Sequence, residues 1–160
     1  MPIQIAYSND EQLLINKRRK DMSQTVTAHW LQDYTFVGKT DSYKSVIMDA
    51  PTVAGGEKIA PSPMEMVLFG LMGCAGIDVK LILSKSKKNV SKLEVVATAE
   101  RRDEFPRIFT DIHLHFIVSG DNIDDKSVAR AVKLSAEKYC SVSAMLDKTV
   151  SITHDFEVVR

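Results

Sequence analysis

The segment from Ser62 to Leu83 sets the tightest limit on how this chain can fold. It opens Ser62-Pro63-Met64-Glu65. Ser62 can cap a backbone N–H, Pro63 suits the first helical position where no donor is needed, and Glu65 falls where it closes a capping box. From Met66 to Leu83 only Asp78 and Lys80 are charged. A helix apolar almost all round must be covered on most of its faces. The same stretch carries Gly70, Gly73 and Gly76, each costing about 1 kcal/mol against alanine in a helix interior. Three of them predict close packing against another element, or a kink near Cys74. This segment is the predicted central helix.

The rest of the chain alternates around it. Thr25 to Trp30 and Tyr34 to Thr40 read as a hairpin broken at Gln32-Asp33, Tyr43 to Met48 reads as a third strand, and Asp49 to Gly56 reads as a loop. Lys92 to Arg102 has Leu93, Val95, Ala97 and Ala99 on one face. Ile108 to Val118 alternates more cleanly, with Ile112, Leu114, Phe116 and Val118 inward and Asp111, His113 and His115 outward. Asp124 or Asp125 begins a second helix running to about Leu146, with Val128, Ala131, Val132, Ser135, Tyr139, Val142 and Leu146 at helical spacing. Thr149 to Val158 closes the chain as a strand. The predicted order is β-β-β-α-β-β-α-β, an α+β fold with largely antiparallel sheets and a long buried central helix. Residues 1–22, with the basic cluster Lys17-Arg18-Arg19-Lys20, read as an N-terminal arm; residues 23–160 read as one domain.

Composition narrows the function. Lysine plus arginine and aspartate plus glutamate each number 21, so the formal net charge is zero. That balance argues against a nucleic-acid binder, which carries a basic excess. No apolar run is read as approaching the roughly 20 residues of a bilayer span, and the first residues lack the pattern of a secretory signal. Two cysteines in 160 residues do not make a disulfide scaffold. The expectation is a cytoplasmic protein with neither a nucleic acid nor a membrane as partner.

Cys74 and Cys140 are the only thiols and lie 66 positions apart, so they can meet only through tertiary structure. Either they form a redox pair, one attacking and the other resolving the sulfenic acid, or they are small buried hydrophobes. Glu65 has its capping role, and nine residues on a helix place it opposite Cys74. His113-x-His115 puts two imidazoles on one side of a strand. An exposed strand face is the commoner meaning of such a pair, so no metal ligands are assigned.

Ala60-Pro61-Ser62-Pro63-Met64-Glu65, with Gly73-Cys74-Ala75-Gly76-Ile77-Asp78-Val79, resembles the OsmC/Ohr family of thiol-dependent hydroperoxide reductases. Ser135-Ala136-Glu137-Lys138-Tyr139-Cys140-Ser141-Val142 matches the segment holding the family's second cysteine, and Arg101 to Phe109 resembles the YhfA-like branch. The resemblance covers about residues 25–159. It implies an OsmC-like fold, an intertwined homodimer with sites at the subunit interface, and peroxidase chemistry on a small organic hydroperoxide. By position, Cys74 is then the attacking thiol, Cys140 the resolving one, and Glu65 the glutamate that pairs with an arginine to hold the thiolate. No cofactor is implied, only an external dithiol reductant. The chain departs at that arginine: between Thr25 and Cys74 its only cationic residues besides histidine are Lys39, Lys44 and Lys58. A lysine cannot reproduce a bidentate guanidinium clamp. The same fold without peroxidase chemistry, binding a small apolar ligand at the dimer interface, is the alternative.

Overall fold

A computed structural model describes residues 24–159; the predicted arm of residues 1–22 lies outside them. The chain divides into two compact units, one up to Pro63 and the other from Met64.

In the first unit, β1 (Val26–Gln32), β2 (Thr35–Thr40) and β3 (Ser45–Met48) form an antiparallel sheet in that order. Val26 pairs with Thr40, Trp30 with Phe36, and Phe36 with Met48. The turn after β1 is tied by the Trp30 indole N–H, which donates to Asp33 O at 3.0 Å. Asp49 is buried at the end of the sheet. Its carboxylate accepts from the N–H of Ala50 at 2.8 Å and of Ile59 at 3.2 Å, which anchors the loop after β3 from both ends.

The second unit begins with α1 (Pro63–Lys85), a 23-residue helix starting at the proline that sequence placed first. Leu71, Ala75, Val79 and Leu83 are its buried residues, recurring every fourth position. Phe69, Ile77 and Leu81, two positions out of step and so on the opposite face, are at least half exposed. The helix is therefore buried along one stripe rather than all round. Close packing at the glycines holds only for Gly76, where a Cβ would meet Val95 Cγ2 at 3.4 Å; Gly70 and Gly73 face open space. The expectation that no run approaches bilayer length is also corrected. By length and composition alone, with mean hydropathy 1.9 in its most apolar window, α1 is long and apolar enough to span. Asp78 and Lys80 argue for a protein cover instead, since a charged residue at a bilayer centre costs about 2.5–3.5 kcal/mol on insertion scales.

β4 (Asn89–Arg101) and β5 (Phe109–Asp121) make a long antiparallel hairpin, and β6 (Ser151–Val158) joins β5 in parallel. A parallel neighbour needs a crossover, supplied here by α2 (Asp125–Leu134), a π-helical turn (Ser135–Tyr139) and α3 (Ser141–Leu146). Ile112, Leu114, Phe116 and Val118 are buried as the alternation of β5 predicted, and with Leu71, Val79, Leu83, Val128 and Ala131 they belong to one core cluster. The second helix is not continuous to Leu146. Its first part is capped by Asp124, whose side chain accepts from Ser127 N at 2.8 Å, but the spacing fails at the π turn. Helical geometry ends at the extended Cys140, and Tyr139, the last residue of the π turn, is half exposed rather than in the core.

His113 and His115 face outward, and both rings approach the Asp155 carboxylate, at 3.1 and 2.5 Å. These contacts, that of His115 first, hold the Asp155 carboxyl below its ordinary value. The pair belongs to a network of side-chain contacts with Thr153 and Asp155 on the outward face of the sheet.

One position in β5 is decided by space. Gly120, at φ +152°, pairs with Val90 beside a register shift in the hairpin, and a Cβ there would sit 2.0 Å from Asn89 O and 2.8 Å from Ser91 N. Gly120→Ala is expected to destabilise the protein by at least about 1–3 kcal/mol, because backbone rather than a flexible side chain must give way. A urea titration of both proteins, with the slope unchanged and the midpoint lowered, checks this.

Candidate functional site

Cys74 and Asp78 are one helical turn apart on α1, so their side chains leave the same flank, next to the buried stripe of Ala75 and Val79. Cys140 comes from the crossover. It sits between the π turn and α3 with φ −69° and ψ 101°, an extended residue between helical ones. π turns within helices recur where a side chain must be re-aimed, and this one delivers the thiol to α1. The Sγ atoms of Cys74 and Cys140 and a carboxylate oxygen of Asp78 all lie within 4.8 Å of one another. Cys140 is buried and the other two are half-buried. Both cysteines are free thiols.

Two serines organise the cluster. The Ser135 hydroxyl lies 3.4 Å from Ala75 O and 3.3 Å from Asp78 Oδ2, tying the start of the π turn to α1 and orienting the carboxylate. Ser143 N donates to Cys140 Sγ at 3.4 Å, so the thiol caps the short α3. Ser143 is itself buried. Burial pushes the Cys140 thiol above its ordinary value; contacts with Ser143 oppose this and neighbouring Cys74 adds to it. In this reduced form Cys140 is a protonated thiol at neutral pH.

Beside Asp78, α1 and α2 line a pocket of about 290 Å³ with Leu81, Ile82 and Leu134 as apolar walls and Lys85 and Arg130 as cations. Neither Asp78 nor Arg130 was marked as a site residue by sequence. Asp78 carried a signal, a charge inside an apolar helix one turn after a cysteine; Arg130 carried none. The arginines of the β4–β5 connection are engaged locally: Arg101 Nε donates to Arg107 O at 2.6 Å and Arg107 Nε to Asp103 O at 3.1 Å. Arg102 Nε donates to Pro106 O in the same turn. Glu65 is exposed in the first turn of α1, nine residues before Cys74, and is not a member of the sulfur–carboxylate cluster.

A three-stranded sheet, a long apolar helix with one thiol at its middle and a second thiol returned against it define an α+β protein with a paired-thiol site. Similarity to known proteins agrees. The family model described as OsmC-like protein matches residues 55–155. Protein YhfA of Escherichia coli is 54% identical over 130 residues, covering 81% of this chain and 94% of that protein. A crystal structure of a hypothetical protein from Aquifex aeolicus VF5 is 29% identical, with TM-score 0.72 over 86% of this chain and 98% of that one. The fold is also shared with an organic hydroperoxide resistance protein OsmC from Legionella pneumophila, 16% identical, with TM-score 0.66 over 85% and 97% of the two chains. The chain belongs to the OsmC family.

Proposed function

We propose that the protein is a thiol-dependent peroxidase that reduces small organic hydroperoxides. The observation that carries this reading is the approach of Cys74 Sγ to Cys140 Sγ within 4.8 Å, from residues 66 positions apart. Cys74, the less buried thiol, is the attacking one. Its proton passes to the Asp78 carboxylate as the sulfur attacks the terminal peroxide oxygen; the O–O bond breaks, and the proton goes to the leaving alkoxide to give R–OH. Cys74 is then a sulfenic acid. The Cys140 sulfur displaces its hydroxyl, which leaves as water with the Cys140 proton, and a disulfide forms. An S–S bond needs about 2.05 Å, so the sulfurs must close further, and the extended Cys140 between two helical segments is the place for that movement. The net reaction is R–OOH plus two thiols to R–OH, water and one disulfide, which an external dithiol reduces. Such a cycle suits a reducing compartment, and we place the protein in the cytoplasm.

The pocket beside Asp78 offers apolar walls for the organic part of the substrate, and Arg130 and Lys85 supply positive charge in a chain that lacks the family's arginine between Thr25 and Cys74. The functional unit is a homodimer in which a second copy covers the exposed stripe of α1. Glu65 is about 13 Å of helix rise from Cys74, so its contribution to a cysteine pair would be made in that dimer.

Stopped-flow mixing of the pre-reduced protein with cumene hydroperoxide and with hydrogen peroxide tests the reading. The expected result is faster consumption of the organic peroxide, with two thiols lost per chain. Consumption no faster than by free cysteine would assign the alternative, a non-catalytic protein of the same fold binding a small apolar ligand at its dimer interface.

A further inference from the structure

We propose that the reduced cysteine pair and Asp78 together form a binding site for a thiophilic divalent cation of the zinc class. Such a site needs both thiols reduced, but it does not need the protein to be a peroxidase.

The donors are two sulfurs and one carboxylate oxygen, all within 4.8 Å of one another. A tetrahedral zinc ion takes sulfur at about 2.3 Å and carboxylate oxygen at about 2.0–2.2 Å, which sets the edges between such donors at about 3.4–3.8 Å. Contraction by about 1 Å from the outer limit observed would bring the three into one coordination sphere. The set draws on two elements, Cys74 and Asp78 from adjacent turns of α1 and Cys140 from the extended residue after the π turn. A chelate of this kind closes a long chain loop.

The surroundings fit an ion as well. The Ser135 hydroxyl, bonded to Asp78 Oδ2, is an outer-shell partner that orients the carboxylate. Ser143 is buried, and its N–H is bonded to Cys140 Sγ. Two thiolates and a carboxylate carry three negative charges against the two positive charges of the ion, and three protein ligands leave one tetrahedral position open. The third donor is an aspartate, not one of the histidines to which sequence drew attention.

Binding of the ion and formation of the disulfide exclude each other, because both use the same two sulfurs. A metal at this site would hold the pair reduced and closed to peroxide.

The test uses the full-length protein, pre-reduced and freed of metal, titrated with Co²⁺ and then Zn²⁺. The expected result is one Co²⁺ per chain with the near-ultraviolet thiolate-to-cobalt charge-transfer band and the visible bands of a tetrahedral ion, displaced by one Zn²⁺, with both thiols then protected from alkylation. Cys140→Ser and the near-isosteric Asp78→Asn should each weaken binding by at least about tenfold, and the disulfide form should bind none. Circular dichroism checks that each variant is folded, and the oxidised wild type serves as a control that needs no substitution. Absence of the charge-transfer band from reduced wild type overturns the proposal, as does equal binding by folded Asp78→Asn. Neither readout involves peroxide turnover, so failure here is distinct from failure of the peroxidase reading.

Discussion

Cys74→Ser is expected to abolish hydroperoxide consumption, lowering the rate by on the order of 10³-fold or more, because a hydroxyl cannot form the sulfenic acid through which the reaction runs. Cys140→Ser should behave differently. The first turnover proceeds, since the attacking sulfur is intact, and the reaction then stops with Cys74 as a sulfenic acid that dimedone traps and mass spectrometry detects. Cys140 is the buried thiol, held protonated by its surroundings and capping α3 through Ser143 N. That suits the resolving role, which needs no thiolate before the sulfenic acid appears. A Cys140→Ser protein with unchanged steady-state turnover would remove the resolving cysteine from the mechanism. A Cys74→Ser protein with unchanged first-turnover rate would remove the mechanism altogether.

Wild-type protein is expected to run as a dimer in analytical ultracentrifugation, and Ile77→Asp as a monomer. The physical reason lies in the periodicity of α1. Leu71, Ala75, Val79 and Leu83 are buried and face the core of their unit, whereas Phe69, Ile77 and Leu81 on the opposite stripe are 50%, 62% and 51% exposed. Gly73, between Phe69 and Ile77 on that stripe, has open space where a Cβ would stand, so another backbone could approach closely. Burying an isoleucine contributes about 1.5–3 kcal/mol, and a two-fold interface counts it twice. Replacing it with a carboxylate should raise the dissociation constant by about 10²–10⁴-fold. Ile77 and Asp78 are adjacent, so loss of the dimer should also lower peroxide consumption if the site is completed at the interface. A wild-type monomer at micromolar concentration would leave the stripe for another cover and overturn the dimer.

The features legible in the sequence were local ones. The helix start at Ser62-Pro63, the alternation of β5 and a capping aspartate at 124 or 125 each depend on neighbours within a few residues, so periodicity and side-chain chemistry were enough. Both cysteines could be named because the motifs around them resemble a family. The tertiary structure decided the rest. Asp78 joins the two sulfurs only because the crossover returns Ser135 and Cys140 against α1, 57 to 66 positions from their partners. The break at Cys140 was hidden because Ser135 and Val142 keep apolar-face spacing on either side of it, and one π turn shifts the phase without changing composition. Arg130 reached the pocket of Asp78 by the same packing. A residue's own helix determines the direction its side chain takes; which group it meets there depends on the path of the chain between them, and local periodicity carries no record of that path.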